Sequence, residues 1–174
     1  LVEGVAVCDI EHGYDGNLYL ADYGGGWSVN KNGTIQVMRP SDSQMQATGK
    51  ETARTFIKGF THRSLPELNL LLSHDDQRVR QAAQFAMGEI GSDSIDVLAS
   101  NLKSENASEQ SSLHTIWALG QLYRNGYEEA GKYLISSLSA EDSEIRANTA
   151  RTCGDISLAS SKEPLLSLLN DPSL

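Results

Sequence analysis

Between Asp75 and Gly91 apolar or small residues stand at Val79, Ala83, Ala86/Met87 and Ile90, with Asp, Arg, Gln and Glu between them. That spacing marks one face of a helix. Asp76 occupies the N-cap position, and Gly91 follows the last apolar residue as a stop. Ala83, Ala86 and Gly88 are small enough to let a neighbouring helix approach closely. The pattern returns at Asp142-Ser143-Glu144-Ile145-Arg146, leading to Cys153-Gly154-Asp155-Ile156 with the same Asp-to-Arg and Arg-to-Gly spacings. In between, Ser108, Ser111, Ser112, Ala118, Leu119, Gly120 and Leu122 hold the matching positions, so Gly88, Gly120 and Gly154 are separated by 32 and 34 residues. Each copy is preceded by a leucine helix, at Leu68/Leu72, Leu98/Leu102 and Leu134/Leu138, and a fourth begins at Leu165-Leu166-Ser167-Leu168-Leu169. Paired helices recurring at this period predict an α-solenoid from residue 64 to 174, with about three repeats and the start of a fourth.

These residues resemble HEAT repeats of the short phycobilisome-lyase-like type, whose second helix reads Asp-x-x-Val-Arg-x-x-Ala-x-x-Ala-Leu-Gly. The resemblance implies an Asp–Arg hydrogen-bonded ladder running through the turns. Serines at 108, 111 and 112 replace Asp, Val and Arg in the middle copy, so the ladder is expected to break there. Leu119-Gly120-Gln121-Leu122-Tyr123 followed by Gly126-Tyr127-Glu128-Glu129-Ala130 also resembles a tetratricopeptide repeat, although Trp117 is one residue out of place for it. Either likeness implies stacked helical hairpins.

The first 40 residues alternate differently. Val5-Ala6-Val7, continued by Asp9-Ile10, then Leu18-Tyr19-Leu20, then Thr34-Ile35-Gln36-Val37-Met38 predict three strands, turned at Tyr14-Asp15-Gly16-Asn17 and Asn32-Gly33. A three-stranded meander of this size is too small to be stable alone. With Asp15-Gly16-Asn17-Leu18-Tyr19-Leu20-Ala21-Asp22-Tyr23, it resembles the last blade of a β-propeller of the sugar- or sorbosone-dehydrogenase type. Pro40 to Thr48 reads as a polar linker, and a helix is expected from Lys50 to Lys58 with Ala53, Phe56 and Ile57 buried. Residues 41–63 thus form a linker and connecting helix. Ser64 and Glu67 have capping-box spacing at the start of the first leucine helix.

Propeller end, the connector Gly59-Phe60-Thr61-His62-Arg63-Ser64 and short HEAT repeats, in that order, resemble the PVC-type membrane-bound dehydrogenase or haem-binding proteins. That likeness implies a periplasmic, extracytoplasmic protein carrying a c-type cytochrome module beyond the repeats. No Cys-x-x-Cys-His occurs in the chain, so no covalent haem site is expected within it.

Composition narrows the function. The 174 residues carry a net charge of −9, which disfavours a surface that tracks phosphates. No apolar run is long enough to span a bilayer, and no signal peptide stands at the start. Leu1 opens inside an apolar stretch, and Asp171-Pro172-Ser173-Leu174 matches a turn opening another second helix, with Leu174 at the Val79 position. Both ends therefore read as cut, and a fragment of a longer protein is expected. The two cysteines, Cys8 and Cys153, are expected as small core residues.

Catalytic motifs are missing: no His-Glu-x-x-His, Walker loop, Gly-x-Ser-x-Gly or Cys-x-x-Cys is present. His12, His62, His74 and His114 are scattered and read as surface or packing residues. Gly24-Gly25-Gly26 lies between strands, whereas a phosphate cradle leads into a helix N-terminus. Asp9, Asp15 and Asp22 could supply oxygen ligands to calcium, but their spacing fits turn-forming aspartates better. No catalytic residue, cofactor or metal site is assigned.

The candidate surface is the groove of the second helices. Aligned copies place Phe85, Trp117 and Arg151 in one column off the apolar stripe, with Glu89, Gln121 and Asp155 beside it. Aromatic and Arg side chains are favoured anchors for a protein partner. The alternative is that both rings simply pack between repeats, which solvent exposure decides. Two functions follow. One is a non-catalytic interaction or spacer module that contacts a protein partner or adjacent domains of the same chain, without nucleic acid or membrane insertion. The other, implied by resemblance alone, is the C-terminal structural part of a quinoprotein-like aldose dehydrogenase passing electrons to a haem module outside this chain.

Overall fold

The computed structural model describes residues 6–25 and 32–173. Val5, the Gly26-Trp27 end of the glycine-rich loop and Leu174 lie outside the described residues. The protein is mainly helical with one small antiparallel sheet, and divides into two compact units, 1–59 and 60–174.

In the first unit β1 (Val7–His12), β2 (Leu18–Asp22) and β3 (Thr34–Met38) form the expected meander, in the order β1-β2-β3. His12 stands opposite Leu18, and Leu18 opposite Met38. The first turn is closed by a 2.8 Å bond from the Gly13 amide to the Asn17 carbonyl. The Asp15 carboxylate reinforces it, accepting from the Asn17 amide, Asn17 Nδ2 and the Tyr19 hydroxyl. Helix α1 runs over Ser43–Lys58, seven residues longer at its start than expected. Asp42 caps it by accepting from the Met45 amide at 2.8 Å, so the polar Ser-Gln stretch is helix and not linker. Gly49, inside this helix, lies against the backbone of Asp15 and Gly16, where a Cβ would collide. Tyr14 and Phe56 stack at 3.9 Å between ring centroids. The helix therefore packs with the meander, and the compact units divide after Gly59 instead of after Pro40. Ile57 is 85% exposed; Gly49, Thr52 and Thr55 take the buried positions.

The second unit is built from helix pairs. α2 (Leu65–Leu71) precedes α3 (Gln77–Ile90), α4 (Ile95–Leu102) precedes α5 (Glu109–Arg124), α6 (Gly131–Ser137) precedes α7 (Ser143–Asp155), and α8 (Lys162–Ser167) follows. Ser64 and Glu67 form the full capping box at the start of α2. Asp76, Ser108 and Asp142 each cap the following helix through a side-chain oxygen. The far ends are also alike. Gly91, Gly126 and Ser157 all take positive φ, at 86°, 96° and 53°. After α5 and α7 the amides of Tyr127 and Leu158 reach back to the carbonyls of Leu122 and Cys153, closing a Schellman-type turn.

The core follows the apolar stripe. Leu68, Leu72, Val79, Ala83, Met87, Leu98, Leu119, Leu122 and Leu134 are buried, and one cluster runs through all three helix pairs. α3 packs on α5 and α5 on α7. Glycines set the closeness: a Cβ on Gly88 would meet the end of the Gln121 side chain, and one on Gly120 would meet Thr152 Cγ2. Cys153 is buried, but Cys8 is exposed, contrary to expectation. β1 is an edge strand whose residues are all exposed, and its thiol donates to the Ala21 carbonyl at 3.3 Å.

Candidate functional site

The column read from the aligned second helices is partly open. On α3, Phe85 is 47% exposed on a helix whose other face is sealed by Val79, Ala83 and Met87. Trp117 on α5 is half-buried against the core, its ring edge-on to His114 at 4.9 Å. Arg151 on α7 is exposed, as are Glu89 and Asp155. Gln121 differs: it is half-buried over Gly88, with Oε1 buried and without a hydrogen-bond partner. Exposure therefore divides the two rings, with Phe85 facing solvent and Trp117 bracing the junction.

Beneath this surface lies polar packing that the apolar stripe alone did not predict. His114 Nδ1 pairs with Gln84 Oε1 at 2.8 Å, joining α5 to α3, and both residues are buried. Burial, with a smaller contribution from the positive charge of Arg80, holds the His114 pKa down at about 4, so the ring is neutral at pH 7. Asn101 Nδ2 donates 2.7 Å bonds to Ser111 Oγ and Thr115 Oγ1. Ser111 occupies the Val79 position of the middle copy. The signal was therefore available: a serine on the apolar stripe, with Thr115 one turn on, calls for a buried polar partner.

The turns carry the sharpest geometry. Arg80 Nη1 donates to the carbonyls of His74 and Asp75 at 2.6 and 2.8 Å. Arg146, 66 positions later, donates in the same way to the carbonyls of Ala140 and Glu141 at 2.8 and 2.7 Å. Its other edge grips Asp171 through Nε–Oδ2 at 2.6 Å and Nη2–Oδ1 at 2.8 Å. This bidentate pair pulls the Asp171 carboxyl down to about 2, with the Ser173 amide assisting. Asp171 has the extended backbone of the other caps, and its Oδ1 accepts from the amide two residues on, as Asp76 and Asp142 do. For Arg80 the corresponding cap is Ser108, which has no carboxylate, and Arg80 Nε is buried without a hydrogen-bond partner.

The remaining candidates are dispersed. Asp9 accepts from the Ile10 amide, Asp15 closes its own turn, and Asp22 accepts from the amides of Ala6 and Gly24. Among the described residues no group of three or more His, Cys, Asp or Glu side chains is placed to hold a metal ion. His12 and His62 are exposed, and His74 accepts from the Asp76 amide through Nδ1 at 2.9 Å. Among the described residues no helix is long and apolar enough to cross a membrane. The chain matches no known protein-family profile and no curated protein sequence.

Proposed function

We propose that the helical unit is a short HEAT-like α-solenoid acting as a non-catalytic protein-interaction or spacer module within a larger protein. The stacking of α3 on α5 and α5 on α7, with one arginine clamp recurring at Arg80 and Arg146, supports the solenoid reading. The observation that carries the interaction reading is Phe85, a large aromatic left exposed on a helix whose apolar face is already satisfied. Arg151, Glu89 and Asp155 give the same surface charges of both signs for a polar rim. A rigid stack needs no moving part to present such a surface. In the first unit, Ile10 and Ile35 are 57% and 64% exposed on the small sheet, which suits a strand group that pairs with further blades, as the propeller likeness implies.

A photo-reactive phenylalanine analogue placed at position 85 of the chain tests the interaction reading. A discrete cross-linked product is expected at 85 and not at Glu163, an exposed residue outside the column. No product, or equal labelling at both positions, overturns it. Oxidation of an aldose by these 174 residues with an artificial electron acceptor would overturn the non-catalytic assignment.

A further inference from the structure

The middle copy differs from its neighbours in one more respect. Where Arg146 stands in the third copy, the second has Ser112, and a cleft of about 500 Å³ opens beside that serine. Its walls include Ala107, Ser112, Tyr133, Glu141 and Asp142, and they come from both the α4–α5 and the α6–α7 pairs. Asp142 is the carboxylate that an arginine at 112 would address, as Arg146 addresses Asp171. Its Oδ1 accepts from the Glu144 amide at 2.8 Å, while Oδ2 accepts from no described residue. Glu105, Glu109 and Glu141 line the same cleft against one ammonium, that of Lys103. Lys103 lies 5.9 Å from the Tyr133 ring centroid.

We propose that this cleft receives an arginine side chain from a protein partner, its guanidinium pairing with Asp142 as Arg146 pairs with Asp171 in the next turn. The chain itself supplies the template: a guanidinium already fills the equivalent position one repeat further on, held by two parallel bonds and two backbone carbonyls. Arginine is selected over lysine because the fork-on-carboxylate geometry needs a planar pair of donors. The excess of carboxylates favours the cation's approach. The cleft uses none of the residues of the Phe85 column, so the two surfaces stand or fall separately.

The test titrates the whole chain with a capped Gly-Arg-Gly peptide, following the backbone amide resonances of Ser112, Tyr133 and Asp142. Peptides carrying lysine or citrulline, the latter having the same shape without charge, serve as comparisons. Shifts are expected with the arginine peptide, weaker ones with lysine and none with citrulline. Asp142→Asn keeps a competent N-cap while removing the charge, and should weaken binding about tenfold. Ser112→Arg should occupy the cleft from within, abolishing the shifts and raising Tm, with the gain lost when Asp142→Asn is added. No shifts at millimolar arginine peptide, equal responses to arginine and citrulline, or binding unaffected by Asp142→Asn would each overturn the proposal. So would a Ser112→Arg chain no more stable than the parent.

Discussion

Arg80 and Arg146 hold their own turns through the same pair of carbonyl bonds, yet their other edges meet opposite circumstances. Arg146 closes on Asp171, whereas Arg80 faces a cap that is serine and leaves Nε buried and unbonded. The following cap thus supplies an ion-pair partner for Arg146 and none for Arg80. The first junction makes up part of the difference with the buried Gln84–His114 bond, and the middle pair with Asn101 on Ser111 and Thr115.

The comparison can be broken most severely at Ala83, fully buried three residues beyond Arg80. Ala83→Asp places an unpaired charge in the buried core of the second unit and should cost about 3–5 kcal/mol, read as a collapsed denaturant midpoint. An unchanged midpoint would mean that this face of α3 is misassigned. The glycine column offers the next effect. Gly120→Ala forces a Cβ onto the stiff, buried Thr152 and should destabilise by about 1–2 kcal/mol net of helix propensity. Gly154→Ala meets nothing within 4 Å and should instead stabilise by about 0.5–1 kcal/mol. Equal effects at the two glycines would contradict the packing described.

Ser157 holds the positive-φ position that Gly126 fills after α5, so Ser157→Gly should gain about 1 kcal/mol in thermal unfolding. The smallest change sharpens the original contrast. Ser108→Asp keeps the cap of α5 and gives Arg80 the carboxylate that Arg146 already has, for about 0.5–1 kcal/mol. A double-mutant cycle with Arg80→Ala checks it, because the gain must vanish when the guanidinium is removed.

Much of this was legible in the chain. The 3.6-residue stripe through Val79, Ala83, Met87 and Ile90 marked α3, and the returning Asp–Arg–Gly spacing marked α7. Residues 34–38 emerged as β3 with the expected bounds. That the second cap offers Arg80 no carboxylate could also be read, because position 108 is a serine. Less legible was α1, whose first turns look like linker: its polar residues face water, and only contact with Asp15 explains why Gly49 is tolerated. Cys8 misled because its type is usually buried, yet an edge strand of a small sheet has little to bury it. The Phe85–Trp117–Arg151 column was readable as an alignment but not as a surface. Phe85 and Trp117 share a register position, and only the neighbouring helices made one open and the other half-closed.

By itself the sequence determined most of the buried stripe of the longer helices, the caps at Ser64, Asp76, Ser108 and Asp142, and the three strands of the meander. These are local consequences of periodicity, small side chains and cap chemistry, and they do not depend on what lies across the fold. Only the tertiary structure decided which groups find partners: that Arg146 reaches Asp171 while Arg80 Nε goes unbonded, that His114 meets Gln84, and that a cleft opens beside Ser112. Hydrogen bonds and ion pairs depend on distance to fractions of an ångström, and that distance is set by how the helices pack.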